Sequence, residues 1–206
     1  MKKLTSAVID SNVLKKLHEY SPERQSDMWV NTGGNPRHFK DSLTDQLKII
    51  QSRRCAYCGR HLLEDSPARD HIAPKESHPE FTFIPANLVL ACYHCNTECK
   101  LATDTVLVNN AIYQNCTFSI IHPYFDEPGE HIQFIGGENK ILVQVISNSS
   151  KGKTTVDLFH LASSELTKQR AKDAMFDTDL DHLPGNWQDA FRYIAQSPLQ
   201  MKICSI

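Results

Sequence analysis

At 206 residues the chain is long enough to bury a real hydrophobic core and to form one or two small domains. Its formal net charge of -2 and isoelectric point of about 6.5 exclude a protein that coats nucleic acid by bulk electrostatics, since such domains are strongly basic. No stretch reaches the apolar length of a membrane span. The basic start, Met1-Lys2-Lys3-Leu4, runs into Ser11, Asn12 and Lys15 without a continuous apolar segment, so the cytoplasm is the expected location.

Residues 1–54 read as a mostly helical region. Within it, residues 21–36 carry Pro22, Gly33, Gly34 and Pro36 and read as a loop, with Trp29 docking on a core. Phe39, Leu43, Leu47 and Ile50 then recur at helical spacing and lead into a cysteine cluster. Residues 55–102 alternate short elements with turn residues. Segments 69–72 and 88–91 have the length of strands, and residues 93–102, free of Gly and Pro, continue as a helix. Residues 103–206 read as an extension of mixed type. Segments 131–135 and 140–146 flank Gly136-Gly137-Glu138-Asn139, a hairpin signal. Residues 154–161 are expected to add a strand and residues 164–176 a helix, and Asn186 caps another helix with Trp187, Ala190, Phe191 and Ile194. The class is α+β, and the extension carries no chemical motif, which leaves it as scaffold or docking surface.

Seven cysteines are present, and spacing decides how they are read. Cys55 and Cys58 form one C-x-x-C pair, Cys92 and Cys95 a second. In a cytoplasmic chain this favours metal over disulfide. Two thiolates two residues apart grip one ion from a tight turn, and two such knuckles complete a closed tetrahedral site. Soft sulfur ligands then favour a structural Zn²⁺. Cys99, Cys116 and Cys204 are left as free, buried thiols.

Between the knuckles lies Asp70-His71-Ile72-Ala73-Pro74-Lys75, followed by Asn87-Leu88 and, after Cys95, by Asn96 and Lys100. A neutral imidazole accepts a proton from water at cellular pH, and a carboxylate with an amide oxygen is a hard pair suited to Mg²⁺ or Mn²⁺. The combination C-A-Y-C, D-H-I-x-P-K, N-L-x-x-x-C-x-x-C-N and a following lysine resembles the HNH endonucleases, the ββα-metal fold, in the form braced by a zinc knuckle. That resemblance implies His71 as general base and Asp70 with Asn96 as ligands of the catalytic ion. It also implies Asn87 as the amide that ties the loop and orients the base. Lys75 and Lys100 are candidate phosphate contacts, and Arg53 and Arg54 could join them in a small basic patch. His94, inside the second knuckle, stays outside the site, and His61, His78, His122, His131, His160 and His182 read as ordinary polar residues.

Three further features are similar to the PtuB-like HNH proteins of bacterial anti-phage systems, Septu and related retron modules. They are His78-Pro79-Glu80-Phe81, His122-Pro123-Tyr124-Phe125-Asp126, and a later helix with Leu166 and Arg170. The resemblance implies an ABC-type ATPase partner (PtuA-like), which would explain the missing bulk positive charge. DNA is the expected substrate, because the chemistry makes no use of a 2′-hydroxyl. An RNA-cleaving (tRNA) effector and a zinc-braced, non-catalytic binding module for nucleic acid or protein are the alternatives.

Overall fold

The computed structural model describes residues 1–62, 67–135 and 141–177, the side chains of 173–177 excepted. The expected helix around Trp187, the turn at 136–139, Cys204 and His182 fall outside the described residues. Three α-helices open the chain: α1 (Ser11–His18), α2 (Pro22–Met28) and α3 (Gly34–Ile50). Asp10 caps α1, its carboxylate accepting from the Asn12 and Val13 amides. In α3, Phe39, Leu43 and Leu47 are fully buried, as their spacing requires. Helices α1 and α3 pack together, and α2 lies on a 3₁₀ turn at Pro79–Phe81.

The presence of α2 corrects the reading of residues 21–36 as loop. Pro22 stands at its first turn, where the missing N–H has no helical partner to lose and the fixed φ suits the helix. Pro36 likewise lies in the opening turn of α3. Both prolines start helices here.

The centre of the chain is an antiparallel pair, β1 (Ala68–His71) and β2 (Leu88–Ala91), with Asp70 opposite Val89 and His71 opposite Leu88. Every residue of β2 is buried. Its free edge is closed by a side chain: Gln51 donates to Leu90 O and accepts from Leu90 N, both at 2.8 Å. A polar strand edge in a core would otherwise lose its hydrogen bonds. From within the second knuckle, His94–Lys100 winds as a π-helical turn, shorter than the helix expected over 93–102. It closes with the Leu101 amide bonded to Asn96 O, five residues back, and Leu101 sits at φ 51°.

Two more antiparallel pairs follow, β3 (Val106–Val108) with β4 (Thr117–Phe118), and β5 (Ile132–Ile135) with β6 (Leu142–Val145). The second is the expected hairpin. In place of the strand expected at 154–161, residues 154–158 belong to a helix, α4 (Ser150–Leu158), and 159–161 form a turn. Ser149 caps it through Gly152 N, and Thr155 Oγ1 donates back to Lys151 O while accepting from Ile121 N. Tertiary bonding has overridden the β-branched run. Helix α5 (Ser164–Asp177) appears where it was expected. One buried core joins Leu17, Phe39 and Leu47 with Tyr57, Leu88 and Leu90, and with Phe118, Ile121 and Phe159, so all three stretches of sequence meet in it. No helix among the described residues is long and apolar enough to cross a membrane.

Candidate active site and metal centre

The first knuckle is a reverse turn after α3. Ser52 and Arg53 adopt positive φ, Gly59 turns at φ 78°, and Cys55 exchanges backbone bonds with Arg60 and Gly59. Arg54 donates to Gly59 O, so it braces the turn instead of joining a basic patch. The turn brings Cys55 and Cys58 against Cys92 and Cys95, with all four sulfurs buried and within 4.8 Å of one another. The Cys58 and Cys92 sulfurs are 3.7 Å apart. Four sulfurs around an ion at about 2.3 Å stand about 3.8 Å apart in a tetrahedron, whereas a disulfide needs about 2.05 Å. The donor set therefore fits one thiophilic ion. Hydrogen bonds from Cys55, Cys58 and Cys95 push the Cys92 thiol far down, while Cys55 and Cys92 push Cys58 up and Cys55, Cys58 and Cys92 push Cys95 up. Such a cluster needs a cation before all four thiols lose their protons.

His71 ends β1, and its ring is almost enclosed at 7% exposure. Nε2 lies 3.1 Å from Thr82 O; a carbonyl accepts only, so Nε2 carries the hydrogen and Nδ1 is left as the basic atom. Trp29 packs edge-on against the ring at 4.4 Å, and is itself held by Lys40 Nζ, which donates to Trp29 O. Its docking on the core was legible in sequence; its contact with His71 was not. Burial lowers the His71 pKa to about 3, so the imidazole is neutral at cellular pH.

Asn87 is buried without exposure and uses its full hydrogen-bonding capacity. Oδ1 accepts from Ala73 N at 2.7 Å and from Tyr113 Oη at 2.8 Å, and Nδ2 donates to Ala73 O and Phe81 O. It thus ties the two ends of the β1–β2 loop and fixes the residue next to Thr82. Its hold on His71 runs through that backbone and not through a direct bond. Tyr113 Oη accepts in turn from His122 Nε2, whose other nitrogen takes the Tyr124 amide. His122 stacks on Phe125 at 4.0 Å, and its amide donates to Asp126. Read from sequence as an ordinary polar residue, His122 is a buried brace that links the extension to the site.

Asp70 precedes His71 and is also enclosed, at 5% exposure. Tyr57 Oη donates to Oδ2 at 2.5 Å, and Lys100 Nζ approaches Oδ1 at 3.3 Å. Burial pushes the carboxyl above its ordinary value, with Lys100 and Tyr57 pulling the other way. Lys100 is 1% exposed and also donates to His71 O at 2.7 Å. This corrects its reading as a phosphate contact, because its ammonium is spent inside the protein. Asn96 is half-buried on the π-helical turn; its amide nitrogen donates to Thr97 Oγ1, and no hydrogen bond joins it to Asp70 or His71 among the described residues. Lys75 lies near the surface, paired with Glu76. His94 is held by Glu98 and Cys99. Tyr57 had no signal beyond its place inside the first knuckle.

Residues 55–99 match the family described as HNH endonuclease. The chain is 28% identical to the Septu protein PtuB of Bacillus thuringiensis over 62% of its own length and 44% of that protein's. It is 30% identical to Protein ea31 of Escherichia phage lambda over 40% of its own length and 25% of that protein's. The chain thus spans less than half the length of either relative. With two paired strands and a helical turn holding the matched residues in order, the chain carries an HNH domain at residues 55–99.

Proposed function

We propose that the protein is a metal-dependent endonuclease that hydrolyses phosphodiester bonds in DNA, working in the bacterial cytoplasm as the nuclease effector of an anti-phage complex with an ABC-type ATPase partner. The observation that carries the reading is His71: a neutral imidazole whose Nε2–H is pinned to the Thr82 carbonyl, with Nδ1 left to accept a proton. A base for water must be unprotonated at cellular pH, which His71 is, although a pKa of about 3 also makes it a weak base in the unliganded protein. The Thr82 carbonyl also stabilises the imidazolium formed when the proton arrives, and Asn87 keeps the loop bearing Thr82 from drifting. Zn²⁺ in the tetrathiolate centre staples the finger, and we assign it no part in the reaction.

The second ion, Mg²⁺ or Mn²⁺, is assigned to Asp70 and Asn96, whose oxygens suit a hard cation in type. Asn96 Oδ1 has no hydrogen bond among the described residues, and Asp70 Oδ1 has only the long contact from Lys100. When bound, such an ion supplies charge stabilisation to the phosphoryl and departing 3′ oxygens. Lys75, once released from Glu76, is the side chain proposed to meet a substrate phosphate. The defence role and the partner rest on the partial likeness to the Septu protein PtuB and on a net charge too low for unaided DNA capture.

The test is cleavage of labelled duplex DNA and of RNA by the purified chain with its ATPase partner. His71→Ala should lower DNA cleavage by roughly a hundredfold or more, with metal content and circular dichroism unchanged. Wild-type rates in that variant would overturn the mechanism, and cleavage of RNA alone would move the substrate.

A further inference from the structure

A lysine with 1% exposure, lying in the heart of a candidate active site, needs a role of its own. Lys100 Nζ touches two consecutive residues of β1, at His71 O (2.7 Å) and Asp70 Oδ1 (3.3 Å). The first distance is that of a strong charge-assisted bond, for which about 2.7–2.9 Å is usual; the second is long for one. The ammonium is therefore anchored on the carbonyl and leans on the carboxylate. Asp70 Oδ2 is fixed by Tyr57, itself fully buried and stacked on Phe159 at 4.1 Å. Oδ1 is thus the oxygen open to exchange.

We propose that Lys100 is the resident counter-ion of Asp70 and competes with a divalent cation for Oδ1, so that loading the hard ion and pairing with Lys100 are alternatives. The inference rests on the reading of Asp70 as a cation ligand. A buried carboxylate without a partner is costly, and Lys100 supplies one while no metal is bound. Two cations on one oxygen repel strongly where water is excluded. The π-helical turn sets the root of the side chain, and the extra residue it holds between Asn96 and Leu101 directs Lys100 inward. Lys100 is in this sense a positioning residue: it holds the carboxylate and the backbone of the base until the ion arrives.

The experiment is Mn²⁺ binding to the full chain at fixed pH, with zinc in the tetrathiolate centre, read from the electron paramagnetic resonance signal of free Mn²⁺. Lys100→Gln keeps a donor for both oxygens and removes the charge; it should bind Mn²⁺ at least tenfold more tightly than the wild type. Equal or weaker binding would overturn the competition. Asp70→Asn should abolish the site in both backgrounds; if it does not, the cation-ligand reading itself falls. Should Lys100→Gln fail to fold, the unaltered chain decides: acylation of Lys100, followed by peptide mass spectrometry, should quicken under saturating Mn²⁺. An unchanged rate would sink the proposal.

Discussion

Two centres share one finger and are built by different means. The tetrathiolate centre gathers its donors from two short turns, and every donor is of one kind, separated by two residues within each pair. The Asp70–His71 centre has two adjacent residues at its heart, but each is held in place by a different part of the fold. Thr82 and Trp29 hold His71, Tyr57 and Lys100 hold Asp70, and Tyr113 and His122 stand behind Asn87. The lesson is one of range. Local spacing is enough to make a closed soft-ligand site, whereas a centre that keeps a neutral imidazole beside a buried carboxylate draws on side chains up to about fifty residues away in sequence.

If that contrast is right, loss of the thiolate ion should have the largest effect. A strong chelator, or Cys92→Ser, should unfold the finger, since ion binding to a structural thiolate site contributes on the order of 10 kcal/mol. Far-ultraviolet circular dichroism with metal analysis reads the outcome, and a folded, metal-free protein would erase the distinction between the two centres.

Asn87→Ala comes next. It strands the Ala73 amide, the Phe81 carbonyl and the Tyr113 hydroxyl in the core, at a cost of about 3–5 kcal/mol by denaturant titration. Cleavage should fall with it while the thiolate ion is retained, which separates the two centres experimentally.

The third effect is graded by pH and is small just below pH 6.5. Burial holds both His71 and His122 down to a pKa of about 3. The unfolded chain takes up these protons near pH 6.5 and the folded chain does not, so their contribution is complete above that value. It is lost as the pH falls from about 6.5 toward 3, on the order of a few kcal/mol for each histidine. The urea midpoint should therefore drop through this window, and His122→Gln should remove about one proton's share of the slope. A slope unchanged by that substitution would place the linked protons elsewhere.

The legible parts of the molecule are those whose cause is local. The apolar spacing of α3, the two short strands and the paired cysteines all announce themselves, because each depends on neighbours within a few residues. Helices α2 and α4 were missed for opposite reasons. Pro22 reads as a breaker until its place at a helix start is known, and the β-branched 154–156 stretch reads as strand until Thr155 is seen bonded to Ile121. Gln51 and Tyr113 gave no usable signal, and Tyr57 and His122 were legible only as members of short motifs, since nothing in a glutamine, tyrosine or histidine tells which distant backbone or side chain it will meet.

The amino-acid sequence by itself determined the kind of chemistry: four thiolates in two tight pairs, and an imidazole beside a carboxylate on a strand, because ligand type and short-range spacing are properties of the chain. Only the tertiary structure decided the state of those groups. Burial, set by packing from all parts of the chain, makes His71 neutral and turns Lys100 inward onto Asp70, and long-range contacts of that kind leave no periodic trace in sequence.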